Sequence, residues 1–228
     1  MGQTEKMIRT ARLLAIGVAM GLTCWAARVE AGLFDPQRDA KPQMIRLAFE
    51  EPALAPVAFT RFCLRYPEDC RARRMAFRRP APLKLSKQRL RDLIDVNQDV
   101  NASIVPQANE FGLLRERWQL FPDRGACYDY AVTKRHELLN RGWPSRALLL
   151  AEVATVWGEH HLVLVARTQQ GDLVLDNLTD DIRFWARAPY RWIRIQLPHD
   201  PKIWATIRNH PLDPMNAEAA GRRITISQ

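Results

Sequence analysis

Gly125-Ala126-Cys127-Tyr128-Asp129-Tyr130-Ala131, running on to Leu138-Leu139 and closed by Gly142-Trp143-Pro144, is the stretch that decides how this chain is read. Its apolar positions recur at helical spacing, Gly142 suits a helix end, and Pro144 forbids continuation, so the spacing predicts a helix that begins at Cys127. Beyond the stop the pattern changes to apolar runs rich in β-formers, over 147–156, 161–166 and 173–175. Residues 168–172 supply Gly171 for a hairpin turn between the second and third runs. Residues 191–197 alternate, and 203–207 read as a final strand. Upstream, Ser86 is a good N-cap for a helix with Leu90, Leu93, Ile94, Val96, Asn97 and Val100 on one face, ended by Pro106. Helices followed by hairpin-linked strands predict an α+β fold.

The whole chain has 228 residues, 47% hydrophobic and 26% charged, with 10 Gly and 15 Pro. That composition excludes disorder, collagen and coiled coil, and the length suits one domain with an extension. Lys6, Arg9 and Arg12 precede an apolar run of ten residues over 13–22. The run is half the ~20 residues a membrane span needs, and Val29-Glu30-Ala31 presents small residues where a signal peptidase reads. The expected organisation is a secretory signal peptide over 1–31, an irregular lead-in over 32–82 with a short helix near 59–66, a core over 83–211, and a polar tail over 212–228. Removing 1–31 takes away four basic and two acidic residues, so a formal charge of +9 becomes +7. The densest basic cluster, Arg71, Arg73, Arg74, Arg78 and Arg79, reads in an exported chain as a solvated face or one attracted to acidic surfaces and substrates, so no nucleic-acid partner is expected.

Cleavage after Ala31 removes Cys24 and leaves Cys63, Cys70 and Cys127. An odd number in an oxidising compartment predicts one disulfide and one free thiol, with Cys63 and Cys70 as the close pair. A continuous helix would hold their Cα atoms ~10.5 Å apart, beyond disulfide reach, but Pro67 between them breaks the helix and lets the chain fold back. Cys127 is then the unpaired thiol, in the first turn of its helix, where free N–H groups favour a thiolate.

A nucleophilic thiolate needs an imidazole partner and a third group to orient it. His160 and His161 enter one predicted strand and Asp176 leaves the next. A two- or four-residue loop would put His161 on the face of Asp176, whereas a bulge at Gly171 would select His160; spacing alone leaves both open.

These motifs, with His161-Leu162-Val163-Leu164-Val165, Val174-Leu175-Asp176-Asn177-Leu178, Val96-Asn97, Val100-Asn101, Trp118 and the Cys63/Cys70 segment, resemble the bacterial transglutaminase-like cysteine proteinases, the family of the periplasmic LapG proteinases. The resemblance spans roughly residues 60–207. It implies a papain-like, transglutaminase-type core, a nucleophile-bearing helix packed on an antiparallel sheet, and a triad of Cys127, His161 and Asp176. It also implies a periplasmic location for the chain, a protein substrate such as a large surface adhesin, and an inner-membrane cyclic di-GMP receptor as a partner. One departure concerns calcium. The family's usual string is Asp-Cys-Glu-Asp-Tyr, and its acidic residues beside the cysteine hold Ca²⁺ in LapG-like members, whereas here those positions are Ala126 and Tyr128. With two oxygen ligands lost, no metal and no cofactor are expected. Two rival readings fit the same residues: a cell-wall peptide amidase or peptidase, and a catalytically silent periplasmic binding protein.

Overall fold

The computed structural model describes residues 46–71, 82–108, 112 and 116–208. The expected signal peptide, the polar tail and four of the five clustered arginines lie outside the described residues.

Its centre is β4 (Leu148–Ala154), in which all seven residues are buried. A strand buried on both faces must be covered on both, and the near-continuous apolar run Leu148-Leu149-Leu150-Ala151 is the sequence form of that requirement. Around it an antiparallel sheet forms in the order β1-β9-β8-β4-β5-β6-β7, with β1 Phe49–Ala53, β5 His160–Thr168, β6 Gly171–Leu175, β7 Arg183–Phe184, β8 Arg191–Leu197 and β9 Asp200–Ile207. One face, carrying Leu148, Leu150, Leu162, Leu164 and Leu175, packs against α2 (Lys87–Ser103) and α3 (Cys127–Asn140) through Leu93, Val96, Val100, Ala131 and Leu138. The other face joins Leu149, Val153, Val163, Val165 and Val174 to Trp185, Trp192 and Ile195. Each buried aliphatic side chain contributes about 1.5–3 kcal/mol. The fold is thus the α+β transglutaminase-type core expected, with the Cys127 helix laid on an antiparallel sheet.

Ser86 caps α2 by accepting the Arg89 N–H at 3.3 Å. The buried stripe of α2 is Asp92, Leu93, Val96, Asn97 and Val100, while Leu90 and Ile94, expected on the core face, are 41% and 37% exposed. The described part of the lead-in is more ordered than its composition suggests. Within it β1 pairs with β9, and α1 (Val57–Arg65) buries Phe59 and Phe62 in the same core as the sheet. A short parallel pair, β2 (Val105–Pro106) with β3 (Arg124–Gly125), fixes the approach to Cys127.

Pro67 ends α1 and starts a 3-10 turn, Pro67–Cys70, that brings Cys70 back to Cys63; the two are disulfide-bonded with Cα atoms 5.5 Å apart. This turn is tied to α3, because buried Arg135 donates to the carbonyls of Asp69 at 2.5 Å and Leu148 at 3.0 Å, and His136 lies 3.1 Å from the Asp69 carboxylate.

Candidate active site

The β5–β6 hairpin turns through Gln169 and Gln170, with Thr168 paired to Gly171 and Leu164 to Leu175. Gly171 sits at φ 134°, where a side chain would be strained. A two-residue loop carries the register forward so that Asp176 falls opposite Val163 and His161 two positions further along, and the two side chains share a face. His160 faces the other way, with its Nε2 3.4 Å from Glu152. The parity that spacing left open is settled by the length of this turn.

His161 and Asp176 are 5% and 4% exposed, and His161 Nε2 lies 2.8 Å from Asp176 Oδ1. The same Oδ1 accepts the Leu178 N–H at 3.1 Å, and Oδ2 accepts the Tyr190 hydroxyl. With Nε2 taken, Nδ1 is the ring nitrogen left for the thiol of Cys127, which is near enough to favour charge on the ring. Burial opposes a charge on His161, but Asp176 and Cys127 together outweigh burial and raise its pKa to about 9. Burial likewise opposes charge on Asp176, yet the His161 bond and charge, with the Tyr190 hydroxyl and the Leu178 N–H, hold the carboxyl below its ordinary range. Burial and the adjacent Asp176 push the Tyr190 hydroxyl up, so it stays a donor. Cys127 is partly exposed and free. The geometry therefore brings the three expected residues together, with a buried imidazole that favours its charged form beside a reachable thiol.

Residues beyond the expected triad also shape this site, among them two asparagines that belong to the motifs of the family resemblance. Asn97 and Asn101, one helical turn apart on α2, donate to the loop after Asp176: Asn101 Nδ2 to the Asp176 carbonyl at 3.0 Å and the Asp180 carboxylate at 2.8 Å, and Asn97 Nδ2 to the Asp180 carbonyl at 3.1 Å. Two asparagines at i, i+4 on an otherwise apolar face were the available hint. Tyr190 lies in a loop before β8 and had none. Lys134, two turns along α3 from Cys127, is 1% exposed, and its Nζ has no hydrogen-bond partner among the described residues. Burial lowers its pKa to about 7 against the opposing charges of Asp176 and Asp180.

At the start of α3, Asp129 supplies the N3 half of a capping box, reaching back to the backbone N–H of the N-cap residue Ala126, whose own side chain caps nothing. Its Oδ2 accepts the Ala126 N–H at 3.0 Å and its Oδ1 the Gln119 N–H at 2.8 Å. Burial, with nearby Glu116, pushes its carboxyl up to about 6 in spite of those two bonds. Gly125 makes the approach possible, since a Cβ there would stand 2.7 Å from Asp129 Oδ2. Tyr128 stacks on Trp118 with ring centroids 6.0 Å apart and planes at 11°. At the positions the family resemblance gives to calcium ligands, Ala126 and Tyr128 bring no carboxylate, and each oxygen of Asp129 accepts one backbone N–H. Among the described residues no three His, Cys, Asp or Glu side chains converge as metal ligands.

A sequence model described as bacterial transglutaminase-like cysteine proteinase BTLCP matches residues 49–211. No match is found among curated proteins. Among solved structures, calcium-bound LapG of Legionella pneumophila is 22% identical, covering 62% of this chain and 82% of that one at a TM-score of 0.46. A second structure of the same protein is 20% identical, with 61% and 79% covered and a TM-score of 0.44.

Proposed function

Because the chain belongs to the bacterial transglutaminase-like cysteine proteinases, and so is a cysteine peptidase, we propose that it hydrolyses a peptide bond in an exported protein substrate with Cys127 as nucleophile, His161 as acid and base, and Asp176 as the group that orients His161. The observation that carries this reading is the 2.8 Å contact of His161 Nε2 with Asp176, made by a buried imidazole whose charged form the Cys127 thiol also favours. The thiolate attacks the carbonyl carbon, an Sγ–C bond forms, and the C–N bond breaks as His161 gives its proton to the leaving amine. Water then adds to the thioester, with His161 taking its proton, and the acid product leaves Cys127 free. First-turn N–H groups of α3 serve the oxyanion, and Asp176 keeps the imidazole in the tautomer that can act.

The family resemblance favours a large surface adhesin as substrate, a cyclic di-GMP receptor of the inner membrane as a partner, and the periplasm as the location. No helix among the described residues is long and apolar enough to cross a membrane. The reading includes calcium independence, supported by the lack of a carboxylate at Ala126 and Tyr128 and by the Tyr128–Trp118 stack at the nucleophile.

The test is the alkylation rate of Cys127 against pH in the native chain and in His161→Ala, beside cleavage of an adhesin N-terminal region with and without EGTA. A fast rate well below the ordinary thiol pKa of ~8.5 that is lost in His161→Ala, with cleavage abolished by Cys127→Ala and indifferent to EGTA, is expected. A slow, ordinary profile unchanged by the mutation overturns the proteinase mechanism. Cleavage of murein peptides but not protein would replace the substrate class.

A further inference from the structure

The loop at the tip of the β4–β5 hairpin, the loop after Asp176 and the segment before β8 enclose a cavity of about 330 Å³, walled by Val156, Trp157, Leu178, Pro189, Asp176 and Tyr190. We infer that this cavity binds a large apolar side chain of the substrate on the leaving-group side of the scissile bond. The inference rests on the proteinase reading above and adds to it the class of sequence that is cut.

Three observations carry it. The first is direction. The acyl half of the substrate stays on Cys127, while the amine departs with the proton of His161, so the chain beyond the scissile bond passes over the imidazole, away from the thiol. Asp176 holds the ring nitrogen opposite the one that serves Cys127, Tyr190 packs its ring 5.5 Å from the imidazole, and these two residues form the cavity wall. The cavity therefore borders the imidazole through Asp176 and Tyr190, on the side that this route of departure reaches.

The second is surface chemistry. Trp157, Leu178 and Val156 are 80%, 58% and 46% exposed and meet at this one place. Large apolar side chains gathered in a concave wall beside a catalytic pair form a recognition surface, because covering them releases water that nothing else in the described residues displaces. The turn that carries Trp157 is closed by its backbone: the Gly158 N–H donates to the Thr155 carbonyl at 2.9 Å, the Glu159 N–H to Thr155 Oγ1 at 3.2 Å, and Gly158 turns the tip at φ 81°.

The third is charge. The two ionic residues of the wall apart from Asp176 are Asp181 and Arg183, and they pair with each other at 3.2 Å. Asp176 itself is committed to His161, Leu178 and Tyr190. No uncommitted charge remains in the wall to recognise an acidic or basic side chain, which favours a neutral occupant.

The test uses the mature chain with Cys127→Ala, which cannot turn over, and the tripeptide amides Phe-Ala-Ala, Leu-Ala-Ala, Asp-Ala-Ala and Lys-Ala-Ala as leaving-group halves, with affinity read by calorimetry. The Phe and Leu peptides are expected to bind at least tenfold more tightly than the Asp and Lys peptides, and Trp157→Ala or Leu178→Ser in the same background to remove most of that preference. Both side chains are exposed, so unchanged thermal melting should accompany the loss. Equal affinity for all four peptides, or a preference untouched by both substitutions, overturns the inference. In parallel, the active chain is given denatured casein and the new N-termini are sequenced. Large apolar residues at the first or second position after the cut support the cavity, and cleavage without that preference refutes it while leaving the proteinase reading intact. Selective peptide binding together with an ordinary Cys127 alkylation profile, unchanged in His161→Ala, would remove the catalytic mechanism and with it the leaving-group assignment, leaving only an apolar binding cavity.

Discussion

Replacing Asp176 by Asn keeps the size of the side chain and one acceptor oxygen but removes the charge that sustains the His161 imidazolium. His161 is raised from an ordinary 6.5 to about 9, against the opposing effect of burial. That difference corresponds to about 3 kcal/mol favouring the charged ring, at ~1.4 kcal/mol per unit. Without the carboxylate, burial is opposed only by the thiol, and His161 is expected to titrate at or below its ordinary value. At pH 7.5 the charged fraction then falls from about 97% to about 10% or less. The loss of tautomer control adds to this, so peptide turnover should drop by about 10²-fold or more. The imidazole can be followed directly by NMR titration of His161, and its consequence by the pH profile of Cys127 alkylation, whose reactive plateau at low pH should vanish. Stability moves with the same linkage. A raised folded-state pKa stabilises fully below ~6.5 and loses its effect as pH rises through about 9. The deficit of Asp176→Asn should therefore be largest in mildly acidic solution, shrink toward pH 9, and close at low pH when the native Asp176, held below its ordinary range, finally takes up a proton. A His161 that still titrates near 9 in Asp176→Asn, or an unaltered alkylation profile, would refute the assignment of Asp176 as the partner that charges the ring.

Other substitutions test the surroundings of the site. Gly125→Ala places a Cβ 2.7 Å from Asp129 Oδ2 and 2.9 Å from its Cβ, so denaturant unfolding should show a loss of about 1–3 kcal/mol, with slower Cys127 alkylation as the helix start shifts. Replacing Cys63 and Cys70 together by Ser opens a loop of seven-residue separation and should lower unfolding stability by about 2–3 kcal/mol without changing the pH profile of Cys127. Lys134 is lowered from 10.5 to about 7 by burial, so the unfolded chain binds the extra proton and native stability rises between those values. Lys134→Met should melt higher than the native chain below pH 7 and lack that rise, whereas a lower melting temperature in acid would show that the ammonium is well paired.

Much of the architecture was legible because it follows from local chemistry. Ser86 and Pro106 bound α2, Gly142 and Pro144 bound the end of α3, and the apolar run from Leu148 required a strand covered on both sides. The β1 edge strand was not legible: Phe49-Glu50-Glu51-Pro52-Ala53 has no alternation, and it is a strand because β9 offers an unpaired edge. Leu90 and Ile94 satisfied a helical spacing yet face outward, because α2 packs on α3 through the stripe that starts at Asp92 and Leu93.

The site divides along the same line. The order of thiol, imidazole and carboxylate, the helix start at Cys127 and the absence of carboxylates at Ala126 and Tyr128 are properties of the chain itself, since each concerns residue type and a local element. Which histidine serves Asp176, and what supports the carboxylate, were decided in three dimensions. The two-residue turn sets the parity that favours His161, and Tyr190, Asn97 and Asn101 arrive from segments distant in sequence to saturate or pin the Asp176 loop. Hydrogen bonds between such segments depend on the packing of whole elements, and no window of neighbouring residues contains that information.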